Sequence, residues 1–419
     1  MLLREHERTL FTDRDEILAV LHHFSRQFQQ GESVNIALVG SRRIGKTMIV
    51  QRFADDLFER NSPMVPVYFN VANNISVPSV FAIRLLASIG YSFIQANEKP
   101  IEQPGGMLNA ADLLSVANQT REDVIITTAR RVAQEMEKDR PNERMLLETT
   151  LNCLEETAQQ TGRKPLVILD KFDSVTQLDS FPNIKETLSV VGSILSQQID
   201  VGYIVASSNT NMVKRTVQSE TSPLFDQFQI IQTPPFDRMA TIEFCRKSLP
   251  EKLATSEIIA RLFEFTSGHP FYLNCLTTAM RQLHREKISG DLLDRAIYED
   301  ILLQEGRIYQ YCQYRVETTL AEARGKTTLR SVLLVLGETG RQTLSEIAAQ
   351  LKRSPGEVRS YLKRLADFDL IGQEGRCYFI ADPIIALWIK FAILERAPEF
   401  VGYKDTMRRY QDRLVEQAA

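Results

Sequence analysis

The sequence predicts a parallel α/β sheet with helices on both faces, followed by an all-helical region and a winged helix-turn-helix. Three observations carry this. Over residues 1–235 short apolar runs alternate with helical segments, the pattern of a mostly parallel sheet. Pro234-Pro235-Phe236-Asp237 then breaks the alternation, and the chain reads as helical to about residue 325. Finally, residues 326–395 spell helix, turn, helix and hairpin. A tail at 396–419 reads as a charged amphipathic helix.

Bulk properties bound the answer. The chain has 419 residues, enough for two or three domains. Charged residues make up 25% and hydrophobic residues 43%, the balance of a soluble protein. A net charge of −3 argues against wholesale coating of nucleic acid but leaves room for a local basic face. Cys153, Cys245, Cys275, Cys312 and Cys377 are scattered without a C-x-x-C pair, so neither zinc nor disulfides are expected and a reducing cytoplasm fits. No membrane span is expected, because no apolar run reaches about 18 residues. The acid-bearing N-terminus lacks the apolar stretch of a signal peptide.

The first strand is read at Ile36–Val39, and the segment after it is the most informative in the chain. Gly40-Ser41-Arg42-Arg43-Ile44-Gly45-Lys46-Thr47 fits G-x-x-x-x-G-K-[ST], the phosphate-binding loop of nucleoside triphosphatases, and Met48 to Ala54 continues as a helix. Glycines let backbone N–H groups turn inward around phosphate oxygens, and the helix N-terminus adds partial positive charge. Lys46 would reach the β- and γ-phosphates and Thr47 would ligate Mg²⁺. The residues from Gly40 to Met48 are therefore the candidate nucleotide contacts. Further strands are read at Val65–Asn70, Leu166–Asp170, Tyr203–Ser207 and Gln229–Gln232. Between the second and third lies an insertion, about 72–160, with a helix from Pro78, a polar loop from Asn97 to Asn109 and helical sequence from Asp123 to Gln160. It reads either as an elaboration packed on the sheet or as a lobe that contacts a protein or nucleic-acid partner.

A phosphate loop needs a metal-holding acid on a neighbouring strand. Leu166-Val167-Ile168-Leu169-Asp170 supplies one, and Asp170 would hold Mg²⁺. Related ATPases place a Glu at the next position to polarise the attacking water; here it is Lys171. Asp173 reads either as its substitute or as a helix N-cap. At the tip of the Tyr203–Ser207 strand, Ser208 or Asn209 would orient water against the γ-phosphate, the alternative being an ordinary Ser/Asn turn. Lys46, Asp170, Asp173 and Asn209 are thus the candidate catalytic set.

In the third region Thr343-Leu344-Ser345-Glu346 is a capping box, and Ser354-Pro355-Gly356-Glu357 opens a second helix with Val358, Tyr361, Leu362 and Leu365 at core spacing. Two strands around a Glu-Gly turn follow in 370–380. In a DNA-reading winged helix the second helix enters the major groove; here it offers Arg359, Lys363 and Arg364, with Arg376 on the wing. Glu357, Asp367, Asp369 and Glu374 interrupt that set, and a regulatory or protein-contact role is the other reading. Trp388 reads as core.

Taken together, these motifs resemble the archaeal-type ATPases of the STAND/AAA+ group over roughly residues 1–395. The markers are Phe11-Thr12-Asp13-Arg14-Asp15-Glu16-Ile17, the loop at 40–47, Leu169-Asp170-Lys171-Phe172-Asp173, Ser267-Gly268-His269-Pro270-Phe271-Tyr272-Leu273 and Asp382-Pro383-Ile384-Ile385-Ala386-Leu387-Trp388. The resemblance implies a P-loop domain, a helical lid and a winged helix, with ATP as ligand. It implies that Phe11 and Arg14 border the adenine, and that His269 and Pro270 sense nucleotide state from the lid. Two positions depart from the pattern: Lys171, and Gln227 where such proteins often carry an Arg. The expectation is a cytoplasmic Mg²⁺–ATP switch with slow turnover to ADP and phosphate. The alternative is an ATP-controlled binder of duplex DNA, of initiator, transposition-helper or regulator type. A homo-oligomer is compatible with both.

Overall fold

Five parallel strands carry the first half of the chain in this computed structural model: β1 Asn35–Val39, β2 Met64–Asn70, β3 Lys164–Asp170, β4 Gly202–Ser207 and β5 Phe228–Gln232. The structure describes residues 2–32, 35–60, 62–75, 77–97, 109–288, 290–322 and 325–394. The tail at 396–419 and most of the loop expected between Asn97 and Asn109 lie outside them. The chain divides into two units, Met1–Pro234 and Pro235–Ala419.

In the first unit the strand order is β2-β3-β4-β1-β5. All five strands read from the sequence are present, and all are parallel. Their apolar runs do not alternate with polar residues because both faces are covered. Ile36, Leu38, Ile168 and Ile204 pack with Leu21, Phe24 and Phe28 of helix Asp15–Gln29 and with Ile49, Val50 and Phe53 of helix Lys46–Glu59. Ala37, Val39, Val167 and Val205 face the opposite way, toward the helices of the insertion. Register sets the carboxyl ends level: Val39 lies opposite Ser207 and Gln232, and Asn70 lies opposite Asp170.

The insertion folds as four longer helices, Pro78–Asn97, Ala110–Thr120, Asp123–Met136 and Glu143–Thr161, within the second core. The helical stretch read over Asp123–Gln160 is two helices. Pro141 lacks a backbone donor and disfavours helix at Arg140, and Asn142 caps the second helix by accepting from Met145 N at 3.0 Å. Helix Ala110–Thr120, opened by a capping box of Asn109 and Asp112, was not anticipated. The 20-residue helix Pro78–Asn97 is long and apolar enough to cross a membrane by length and composition. Phe81, Leu85, Leu86, Ile89 and Phe93 are buried in the core, as in the central helix of a globular unit.

The second unit begins with helices Arg238–Ser248, Ser256–Thr266, Pro270–Arg285, Leu292–Ile297 and Arg307–Glu322. Helices Lys326–Thr339, Leu344–Leu351 and Pro355–Asp367 follow, with a sheet of order β6-β8-β7 made by β6 Gln342–Thr343, β7 Ile371–Glu374 and β8 Cys377–Ile380. This is the expected winged helix-turn-helix; the capping box of Thr343 and Glu346 is formed, and Ser354, expected as an N-cap, closes a second one with Glu357. One apolar core runs through the whole unit, from Phe236 to Phe391. Trp388 is buried in it, its ring edge-on to Tyr309 at 5.6 Å. Gly268 adopts φ +70, and a Cβ there would lie 1.9 Å from the Phe236 carbonyl oxygen, so only glycine fits. Tyr272 donates to Asp382, which also caps helix Pro383–Trp388. Two of the five marker segments thus meet in one hydrogen bond.

Candidate functional site

The phosphate loop is built by close backbone approach. Thr233 N donates to Val39 O at 2.7 Å as the chain leaves β1. A Cβ on Gly40 would sit 2.8 Å from Thr233 O and 3.3 Å from Ile44 Cγ2, so the first glycine of the motif is a contact requirement. Arg43 and Gly45 take left-handed conformations, φ 61 and φ 105. Ile44 is buried between them and anchors the loop. Helix Lys46–Glu59 opens directly from Gly45, and no side chain caps it. Its N-terminus is therefore set up for an anion. Lys46 is buried and lies back along the loop, its Nζ donating to Gly40 O and Ser41 O at 2.8 Å each. Ser41 and Arg43 are exposed, while Arg42, Thr47 and Met48 are half-buried.

A second set of side chains converges on Asp170 at the end of β3. Thr47 Oγ1 donates to Asp170 Oδ2 at 2.8 Å, joining loop helix and strand. Tyr68 OH donates to the same oxygen at 3.1 Å and Asn70 Nδ2 at 3.2 Å, both from the end of β2. Lys171 N donates to Asp170 Oδ1 at 3.0 Å. Burial pushes the Asp170 carboxyl above the usual range, while the hydroxyls of Thr47 and Tyr68 and the charge of Lys171 pull it back. Burial, with the neighbouring Asp170 charge, raises the Tyr68 phenol, which stays a protonated donor. Tyr68 and Asn70 were not singled out in the sequence. Among the described residues no group of three or more His, Cys, Asp or Glu gathers to hold a metal. One carboxylate and one hydroxyl, both hard oxygen donors 2.8 Å apart, suit Mg²⁺, which takes few protein ligands beside phosphate and water.

The residues expected to cleave are arranged differently. Lys171 is exposed in a left-handed conformation, φ 56, at the N-cap position of the 3₁₀ segment Phe172–Ser180. Asp173 therefore sits inside that segment and is not its N-cap. Asp173 Oδ1 accepts from Ser207 Oγ at 2.8 Å, and Ser207 Oγ accepts from Asn209 N at 3.0 Å. Asn209 caps helix Thr210–Gln218, its Oδ1 accepting from Met212 N at 2.9 Å. Ser208 is half-buried in the bend between them. Gln227 donates to Pro223 O at 2.8 Å, within its own turn.

Arg14 ties the N-terminal segment to the loop. It is only 4% exposed and donates to Pro234 O at 2.8 Å and Ile44 O at 3.2 Å. Burial pulls its guanidinium below the usual value. Phe11 packs on the apolar cluster beneath β1. His269 and Pro270 belong to the second unit, where Pro270 is the first residue of helix Pro270–Arg285 and the His269 ring lies 4.7 Å from that of Tyr272.

Residues 326–371 match the family model of the winged helix-turn-helix DNA-binding domains. No curated protein matches the chain by sequence. Among solved structures, the Walker-type ATPase of Pyrococcus abyssi superposes with a TM-score of 0.59 at 16% identity, over 91% of this chain and 96% of that one. The ORC2 protein of Aeropyrum pernix, solved as ADPNP–ADP complexes, gives a TM-score of 0.52 at 13% identity, over 91% and 97%. The fold is that of a Walker-type ATPase with a C-terminal winged helix.

In this Walker-type fold the winged helix carries the four basic residues expected to meet nucleic acid. Arg359 and Lys363 are exposed one turn apart on helix Pro355–Asp367. Arg364 is half-buried with its guanidinium 5.4 Å from the centre of the Tyr361 ring, and Arg376 is exposed at the wing turn. Two interrupting acids have local partners: Glu357 accepts from Ser354 N at 3.2 Å, and Glu374 pairs with Arg341. Their charge is directed at the fold as well as at solvent.

Proposed function

We propose that the chain is an ATP-binding switch of the STAND/AAA+ type, Mg²⁺-dependent, which converts ATP to ADP and phosphate slowly. The convergence of Lys46, Thr47 and Asp170 at the carboxyl edge of the sheet carries this reading. Lys46 exchanges the carbonyls of Gly40 and Ser41 for the β- and γ-phosphates. Thr47 and Asp170 hold Mg²⁺, which when bound offsets phosphate charge. The amides of 40–48 cradle the phosphates, and Phe11 and Arg14 border the base. On the cleavage side Lys171 stands where related ATPases carry a Glu, which leaves Asp173 as the carboxylate for water and Ser208 or Asn209 to orient it. The test is titration of a fluorescent ATP analogue into wild type and Lys46→Ala, alongside steady-state phosphate release. Tight wild-type binding with turnover well below one per second is expected; turnover of tens per second sinks the slow switch.

A second reading rests on the match of residues 326–371 and the exposed pair Arg359 and Lys363. Here ATP controls loading onto duplex DNA, and the ORC2 neighbour, solved with nucleotide, lends support. Mobility shifts with duplex DNA, with and without ATP at two salt concentrations, test it. Arg359→Ala and Lys363→Ala should each lower the salt slope by about 1. No shift at low salt removes this reading.

A further inference from the structure

Asp170 is the point where three chain segments meet, and the donors that reach it form a connected path. Helix Lys46–Glu59 offers two side chains one turn apart on the same face, Thr47 and Gln51. Thr47 goes directly to Asp170 Oδ2. Gln51 goes indirectly: its Nε2 donates to Tyr68 OH at 3.2 Å, and Tyr68 OH donates to Asp170 Oδ2 at 3.1 Å. Asn70 adds a parallel donor from the same strand at 3.2 Å. One carboxylate oxygen thus receives three donors, while Oδ1 takes the Lys171 amide. Asp170 is 2% exposed, so its orientation is decided by these partners and not by water.

Tyr68 and Gln51 lie outside the phosphate-loop motif and make no contact that the loop itself requires. Both are half-buried, and the Tyr68 ring packs on the apolar cluster under β1, so the phenol is held in place by its ring and aimed by its hydroxyl. Groups that orient a metal ligand through hydrogen bonds set metal affinity nearly as strongly as the ligands do.

We infer that Gln51 and Tyr68 form a positioning relay, joined by Asn70, that aims the Asp170 carboxylate at the Mg²⁺ of the bound nucleotide. This rests on the nucleotide-binding reading and assigns that site two residues the motif does not contain. Neither is a catalytic residue; both act through Asp170. Because Gln51 acts only through the Tyr68 hydroxyl, the two must behave in series.

The test measures affinity for a fluorescent ATP analogue in EDTA and then across a Mg²⁺ titration, for wild type, Lys46→Ala, Tyr68→Phe, Gln51→Ala and the Tyr68→Phe/Gln51→Ala double variant. Tyr68→Phe keeps the packed ring and deletes one donor. The expected result is an unchanged melting temperature and affinity in EDTA, with the Mg²⁺ concentration for half effect raised about 10-fold. Gln51→Ala should raise it about 3-fold, and the double variant should match Tyr68→Phe alone. Equal losses in EDTA and Mg²⁺ would show a merely structural role. Overlapping Mg²⁺ curves, or an additive double variant, would overturn the relay while leaving the nucleotide site standing. Wild type binding no better than Lys46→Ala removes the nucleotide site and the relay with it.

Discussion

Two corners of one sheet edge are built on opposite plans. At the ends of β2 and β3, side chains from three segments point at one carboxylate, and Thr47, Tyr68 and Asn70 share a single oxygen of Asp170. At the end of β4 and just after β3, each polar group already has a local task. Ser207 holds Asp173, Asn209 caps its own helix and Lys171 is exposed. The first corner gathers donors on one carboxylate; the second ties its polar groups locally and carries Lys171 where a Glu is expected. On the proposed reading, holding a nucleotide and cutting it would draw on separable residues, so that one could be complete while the other is altered.

The largest effect should come from the first corner. Lys46→Ala removes a charge-assisted contact to phosphate, of about 3 kcal/mol, and should weaken binding of the ATP analogue about 100-fold. Retained affinity would break the comparison outright. Lys171→Glu acts on the second corner and should raise steady-state phosphate release about 10-fold or more while leaving affinity within about 3-fold. Unchanged release would mean that position 171 is not where the corners differ. Ser207→Ala releases Asp173 from its donor, and a change in phosphate release of about 3-fold is expected, without loss of ATP-analogue binding. The smallest effect is on stability. Asp170 has a folded pKa raised by burial, so its contribution is full below the ordinary carboxylate value and is lost as pH rises through the raised one. Asp170→Asn cannot ionise, so the metal-free variant should melt above wild type at pH 8, by about 2–4 °C per kcal/mol gained, and converge with it near pH 4. Thermal melts in EDTA across that range check the sign.

The strands were legible because both faces are covered, which writes them as unbroken apolar runs. The loop was legible because its spacing is dictated by backbone geometry at Gly40 and Gly45. Tyr68 and Asn70 were not, since a Tyr in a strand is unremarkable and only the β2–β3 register puts Asn70 opposite Asp170. Asn209 reads equally as an ordinary turn residue and as one that orients water; that its Oδ1 caps helix Thr210–Gln218 was not legible. Helix Lys326–Thr339 escaped because it starts at Gly325 without a side-chain cap. Charge runs misled in a milder way: Glu357 and Glu374 interrupt the basic face in sequence but pair locally in space.

The position of β1 has a consequence for biosynthesis. Its residues are made early, yet both its neighbours are made late: β4 spans Gly202–Ser207 and β5 spans Phe228–Gln232. Arg14 likewise waits for Pro234. A nascent chain therefore carries the whole phosphate-loop motif long before it has the strand pairs that shape it, and contacts of such sequence separation close slowly. On the proposed reading, nucleotide would gain its site only once the first unit is complete, making ligand retention on stalled ribosomes a direct clock for when this sheet closes.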